Sequence, residues 1–276
     1  MKFKIGFMAK AEKNETMRNQ ENEKVIEPSC KSESAKKSVV EIFFLERHLT
    51  CSYYNDMFDL KLGDIVYVEG KLEGMRGRVV AVNYNFKIKL SDYKRVIGIV
   101  DTNIVGRFFM AGSHFITTDK NALNYNKVIT WFRAPLDEDE EFISSYDDSS
   151  FYLNDLGNIK TDISTAEKGK EYYTEGHVQY IELKEGKGRA IVLGRKPYEV
   201  EFNYNGGEIS RLVCDCYCTG ICKHELAVCL ALKEILELTE KEYPDIDPSD
   251  YLAVINKTTF FEYAVNTAKN GTFTMM

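Results

Sequence analysis

The sequence predicts an α+β protein: a small N-terminal antiparallel β-barrel joined to a β-hairpin-plus-helix domain. Three observations carry this. Short apolar strands punctuated by Gly and Asp run through residues 38–100. A second set of alternating strands, with an Asn205-Gly206-Gly207 turn, runs from about Tyr172 to Val213. A Gly- and Pro-free stretch rich in Leu, Ala, Glu and Lys follows from His224 to Lys241.

The first 37 residues read as an arm. Residues 10–38 are Lys-, Glu-, Asn- and Ser-rich and lack aromatics, so they cannot bury enough apolar area to offset the entropy of ordering. Before them, Lys2 to Phe7 alternate and suit a short edge strand. The barrel is assigned to 38–135. Val39–Leu45, Ile65–Gly70, Arg78–Val82 and Val96–Val100 are its apolar runs. Tyr84, Phe86, Ile88 and Leu90 alternate with polar residues, the period-two signature of a half-buried strand. Residues 128–134 read as the closing strand. Tyr53-Tyr54-Asn55-Asp56 and Asp59 read as a polar loop.

Residues 136–171 form an acidic linker. Between 137 and 162 lie nine carboxylates and one Lys, a local charge of −8, typical of a solvated segment with room for a short helix. The hairpin-plus-helix domain spans 172–240. Asn-Gly-Gly between alternating strands is a strong hairpin signal, and Glu185-Gly186-Lys187-Gly188 marks another turn. Leu226, Leu230, Leu232, Ile235, Leu236 and Leu238 mark one long buried helix, which Pro244 ends. Residues 241–276 read as a helical extension.

Composition removes several functions. The 276 residues include 44% hydrophobic and 29% charged side chains, the range of globular proteins. No apolar run approaches the roughly 18–20 residues of a membrane helix, and the N-terminus lacks a signal-peptide core. A cytoplasmic location without membrane association is therefore expected. Phosphate-loop, dinucleotide-fingerprint, H-E-x-x-H and G-x-S-x-G patterns are absent. The net charge of −7 argues at face value against nucleic acid. The linker alone accounts for it, however, and Lys71 to Arg95 carries seven basic residues against Glu73 and Asp92. That basic face, with Lys87 and Lys89 beside Asn85, reads either as a phosphate-contacting surface or, more plainly, as a solvated sheet.

The chemistry gathers at one place. Five of seven Cys lie between Cys214 and Cys229. In a reducing compartment, clustered Cys point to metal before disulfides. Cys214 and Cys216 lie two apart on an extended strand and face one side. Gly220 lets the chain reverse, and Cys222 and His224 fall at the helix start. Three thiolates and an imidazole form a tetrahedral set suited to Zn²⁺. Four protein ligands close the site, so no catalytic residue is assigned and no enzyme activity is expected. Glu225 reads as an exposed acid favoured at the helix start, and Cys229 as a buried core thiol. Cys218 remains an alternative ligand to Cys216. His48, Cys51 and Cys30 form only a weak second metal candidate. His114 and His177 read as structural or exposed.

The C-x-C, spacer, C-x-H pattern resembles the SWIM zinc finger. Tyr198-x-Val200 upstream and Cys222-Lys223-His224 entering an apolar helix extend the resemblance over about 172–240. It implies a zinc-binding protein that binds DNA or protein, with Cys214, Cys216, Cys222 and His224 as ligands. The expected function is that of a non-enzymatic DNA-binding accessory protein, or alternatively a protein-interaction adaptor with structural zinc. Gly63-Asp64-x-Val66-x-Val68-x-Gly70 also resembles KOW/SH3-like barrels.

Overall fold

A computed structural model describes residues 6–7, 36–135, 144–146, 149–159, 161–267 and 272–276. The chain divides into two compact units, a smaller one ending at Ile99 and a larger one from Val100 to Met276. Both are built mainly of antiparallel sheet with few helices. Strand β1 (Gly6–Phe7) lies at one end of the larger sheet. It matches the expected edge strand, though residues 2–5 lie outside the described residues.

The smaller unit contains β2 (Ser38–Phe44), β3 (Leu49–Asn55), β4 (Ile65–Val68), β5 (Gly77–Asn83) and β6 (Val96–Ile99), in the order β3-β2-β5-β4-β6. Alternate residues of β2 (Val40, Ile42, Phe44) point into a core with Tyr53, Val66, Val68, Val79 and Val96. Gly77 is required there, because a Cβ would come within 2.2 Å of Ile42 Cγ2. The sheet curls until Tyr54 and Arg95 form one isolated bridge, with Tyr54 N–H donating to Lys94 O at 2.9 Å. No ladder joins β3 to β6 among the described residues, so the expected barrel is not closed.

Two elements here differ from the sequence reading. Residues 84–89 are not a strand. Phe86 packs edge-on against Tyr54, so its side of the segment is half-buried and produces the alternation without pairing. Conversely, Tyr53, Tyr54 and Asn55 are not a loop but the buried end of β3. The Asn55 amide donates to Ser38 Oγ (3.0 Å) and Phe58 O (2.7 Å), so burial leaves it satisfied.

The larger unit adds β7 (Val105–Ala111), β8 (His114–Thr117), helix α1 (Tyr125–Ile129), β9 (Ser150–Tyr152), α2 (Ile163–Thr174), β10 (Val178–Lys184), β11 (Lys187–Leu193), β12 (Pro197–Asn205), β13 (Glu208–Cys214), α3 (Lys223–Glu242), β14 (Tyr251–Asn256), α4 (Lys257–Phe260) and β15 (Thr272–Met275). One sheet runs β1-β15-β7-β8-β14-β10-β11-β12-β13-β9. The β10–β11 and β12–β13 hairpins turn through Glu185-Gly186 and Gly206-Gly207, all with positive φ, the requirement of a tight type I′ turn. Helix α3 packs on one face of the sheet, over Ile181, Ala190, Val192 and Val200. Helix α2 lies against α3 at Gly169, where a Cβ would come within 2.7 Å of Leu226.

The unit boundary therefore falls near 99/100 and not at 135. β7 and β8, expected in the barrel, pair instead into the larger sheet through β14. Residues 128–134 are not a strand. Asn124 caps α1 by accepting from Lys127 N–H at 3.0 Å, and the buried Trp131 stacks on Tyr263. A seven-residue apolar run does not distinguish helix from strand. The expected linker, where described, contains β9 and α2, and Asp162 is the N-cap of α2. The acidic run 137–141 lies outside the described residues. The expected helical tail holds α4 but also β14, buried on both faces.

The sheet face opposite α3 carries buried Tyr180, Ile191, Ala253 and Ile255, which alternate with the core residues under α3, and a buried carboxylate among them. Glu182 is buried there and accepts from Tyr125 N–H at 3.1 Å. Burial pushes its carboxyl above the ordinary 4.5, against the lowering effect of Tyr251, Lys184 and Arg189. A raised carboxyl means that the folded chain holds this proton more tightly than the unfolded chain. Its contribution to stability is therefore lost as pH rises from 4.5 through the raised value. Glu182→Gln should flatten that decline in urea midpoints; equal slopes for wild type and variant would refute it.

Candidate metal centre

Strand β13 delivers Cys214 at its end, and the ladder to β12 continues one residue further. Asp215 N–H donates to Glu199 O at 3.1 Å and Glu199 N–H to Asp215 Oδ1 at 3.0 Å. These bonds hold Asp215 against β12 while the chain bends through 215–217, and the bend keeps the Cys216 thiol in one group with that of Cys214. Residues 217–220 form an exposed turn. Cys222 is then the N-cap of α3, and its sulfur takes the place that Ser or Thr usually fills in a capping box. Glu225 N–H donates to Cys222 Sγ at 3.4 Å, and Cys222 N–H donates to Glu225 Oε2 at 2.6 Å. His224 follows on the first turn and points back at the strand.

The donor atoms of Cys214, Cys216, Cys222 and His224 all lie within 4.8 Å of one another. His224 Nδ1 sits 3.6 Å from Cys214 Sγ and 3.7 Å from Cys222 Sγ. A tetrahedral ion with metal–sulfur bonds of about 2.3 Å and a metal–nitrogen bond of about 2.05 Å requires an S···N edge of roughly 3.6 Å. The observed separations meet that requirement. Tyr198 stacks on the His224 ring with centroids 4.1 Å apart, and Tyr172 meets its edge. These contacts set the ring plane that aims Nδ1. His224 Nε2 is buried without a hydrogen-bond partner among the described residues, and ring packing orients the imidazole.

Electrostatics favour cation capture. The Cys214 thiol donates to Cys222 and, with help from His224 and the Glu225 N–H, holds the Cys222 thiol well below its ordinary range despite burial. The Cys214 thiol is held correspondingly high. Burial first, then the neighbouring Cys222, pushes Cys216 up to about 12. Negative charge is thus drawn to a site whose remaining thiols keep their protons, and a bound cation would take the place of those protons.

The structure brings together all four proposed ligands. Cys218 is exposed and lies outside the group, whereas Cys229 is buried in the core under α3. Glu225 is not exposed as expected; it is 5% accessible. Burial, then the Cys222 charge, raises its carboxyl to about 8. The missed signal was Cys-x-x-Glu at a helix start, a capping box with sulfur replacing oxygen. His48 is exposed in a left-handed turn and Cys51 half-buried on β3; Cys30 lies outside the described residues. No second metal-ligating group of three appears among the described residues. The His114 ring bonds Ser113 and Val178 O, and His177 bonds Leu193 O and Glu175.

The fold and site together define an α+β protein with a Cys3His group able to hold a metal ion. No protein-family model, curated protein or solved structure matches the chain. No helix among the described residues is long and apolar enough to cross a membrane.

Proposed function

We propose that the Cys3His group holds structural zinc in a SWIM-type finger and that the protein is a non-enzymatic, nucleic-acid-binding accessory protein. The observation that carries the zinc reading is the convergence of Cys214, Cys216, Cys222 and His224 within 4.8 Å of one another, with the two edges from His224 Nδ1 to Cys214 and Cys222 at tetrahedral length. Three thiolates with one imidazole favour zinc over hard cations, and four protein donors leave no open position for substrate or water. A C-x-C that opens at the end of a strand and a C-x-H that opens a helix are the arrangement that the SWIM resemblance implies.

Support for nucleic acid is electrostatic. Lys71, Arg76, Arg78, Lys87, Lys89 and Lys94 are all exposed on the smaller unit, although Lys87 and Lys89 lie in a loop and not on a strand. A second reading, a protein-interaction adaptor, draws on exposed Leu45, Leu49 and Leu62 of the same unit.

Two measurements test the proposal. Metal analysis should find one zinc per chain, and Cys218→Ser should leave that content unchanged. Affinity for labelled DNA should fall as salt rises, and Arg78→Glu with Lys87→Glu and Lys89→Glu should make the slope shallower by about one unit per lost contact. A chain free of metal, or no nucleic-acid binding at low salt, would overturn the respective half.

A further inference from the structure

Cys218 stands outside the metal group, yet it lies against one of its ligands. It sits two residues after Cys216, in the exposed turn that joins β13 to α3. The Cys218 N–H donates to the Cys216 sulfur, and the two thiols share a hydrogen bond. An exposed thiol is thus set beside one particular ligand thiol.

The three ligand thiols are not held alike. Cys214 is anchored in the ladder, opposite Val200 of β12. Cys222 is buried and caps α3. Cys216 is half-buried and belongs to neither element, since β13 ends at Cys214 and α3 begins at Lys223. The chain that follows it has room to move. Residues 217–220 all face solvent, Tyr217 completely, and a Cβ on Gly220 would meet nothing within 4 Å. A turn without packed side chains can change shape at little cost. Cys216 is therefore the ligand that can turn toward Cys218 while the strand and the helix stay in place.

We propose that Cys218 is a peroxide-sensitive thiol whose disulfide with Cys216 opens the metal site. This rests on the zinc reading above and adds a means of control to it. Oxidation selects exposed thiols, and a second thiol close by resolves the product into a disulfide. Hydrogen peroxide converts the Cys218 thiol to a sulfenic acid; the O–O bond breaks and one water leaves. The Cys216 sulfur, a thiolate in the metal-loaded chain, then attacks the Cys218 sulfur. An S–S bond forms and hydroxide departs, taking a proton from solvent. The two sulfurs together lose two electrons, and the peroxide ends as two waters. Cys214, Cys222 and His224 remain as donors, one fewer than a closed structural site requires.

The test uses the full, zinc-loaded chain treated with hydrogen peroxide. Zinc release is followed with a chromogenic chelating dye, and thiols are mapped by differential alkylation and fragmentation mass spectrometry. Wild type should release its zinc and gain a disulfide between Cys216 and Cys218. A thiol reductant with added zinc should restore the loaded chain. Cys218→Ser and Cys218→Ala keep all four ligands, so both should start loaded and release zinc several-fold more slowly. Equal release rates in wild type and both variants would overturn the proposal, because peroxide would then be striking the ligands directly. A map that places Cys218 in a disulfide with Cys30 or Cys51, or leaves it as a sulfinic acid, would also overturn it. Zinc that stays bound after peroxide treatment would overturn this inference alone, whereas a chain that purifies without zinc would overturn the zinc reading with it.

Discussion

Replacing Cys214 and Cys222 together by Ser, or stripping metal with a strong chelator, should lower the melting temperature of the larger unit by about 10–20 °C. The magnitude follows from what the site joins. Cys214 ends β13 and Cys222 begins α3, and the turn between them is exposed, with few buried side chains to hold it. Without a cation, three thiols and an imidazole would be gathered within 4.8 Å for the return of a few weak S–H contacts. Structural zinc in finger peptides contributes about 10–16 kcal/mol. The larger unit has its own core under α3, so only part of that is felt as global stability. Even about 5 kcal/mol would move the midpoint by about 10–20 °C for a unit of this size. Scanning calorimetry with and without chelator reads this directly. A midpoint within about 2 °C after verified metal removal would refute the structural role. Cys218→Ser separates the site from its surroundings, because an exposed thiol outside the group should change neither metal content nor midpoint.

The metal ligands were legible in the sequence because their geometry is local. A C-x-C at the end of a strand and a C-x-H at a helix start need only a short bent connection between the two elements. The β12–β13 hairpin was legible for the same reason: Asn-Gly-Gly names the turn. What was not legible depends on partners distant in the chain. Residues 84–89 alternate as a strand does, yet alternation records which side is buried and not whether the backbone is paired. Glu225 looked like an exposed acid because helix-start carboxylates usually are. Its burial follows from Cys222 acting as the cap, which draws the carboxylate inward onto the Cys222 N–H. The unit boundary was misplaced because β7 and β8 enter the larger sheet only through β14, more than a hundred residues later. Tyr251-Leu252-Ala253-Val254-Ile255 is a continuous apolar run, the pattern of a strand covered on both faces, and it carries no period to distinguish it from a helix.

That strand gives the second large effect. Deleting residues 251–276 should destroy the larger unit and, with it, metal binding some thirty residues upstream. A chain whose last segment was merely an added helix would tolerate the loss. β14 is central, paired on one side with β10 from Tyr180–Ile255 to Lys184–Tyr251 and on the other with β8 from Thr117–Ala253 to His114–Asn256. Its removal would split the sheet and expose the backbone donors and acceptors of two central strands, each unsatisfied buried group costing about 1–3 kcal/mol. It would also empty the sites of Leu252 and Val254, both fully buried in the core that α3 covers. A milder version keeps the backbone. Leu252→Ala should cost about 2–5 kcal/mol through lost contacts and the cavity left behind, because both neighbouring strands hold their positions. The decisive comparison is zinc content in the truncated chain. Because Cys222 and His224 sit on α3, and α3 has no sheet to rest on once β14 is gone, the truncated chain should purify without metal. A soluble truncated chain that retains one zinc would show that the β12–β13 hairpin and α3 fold as a module independent of the central strand.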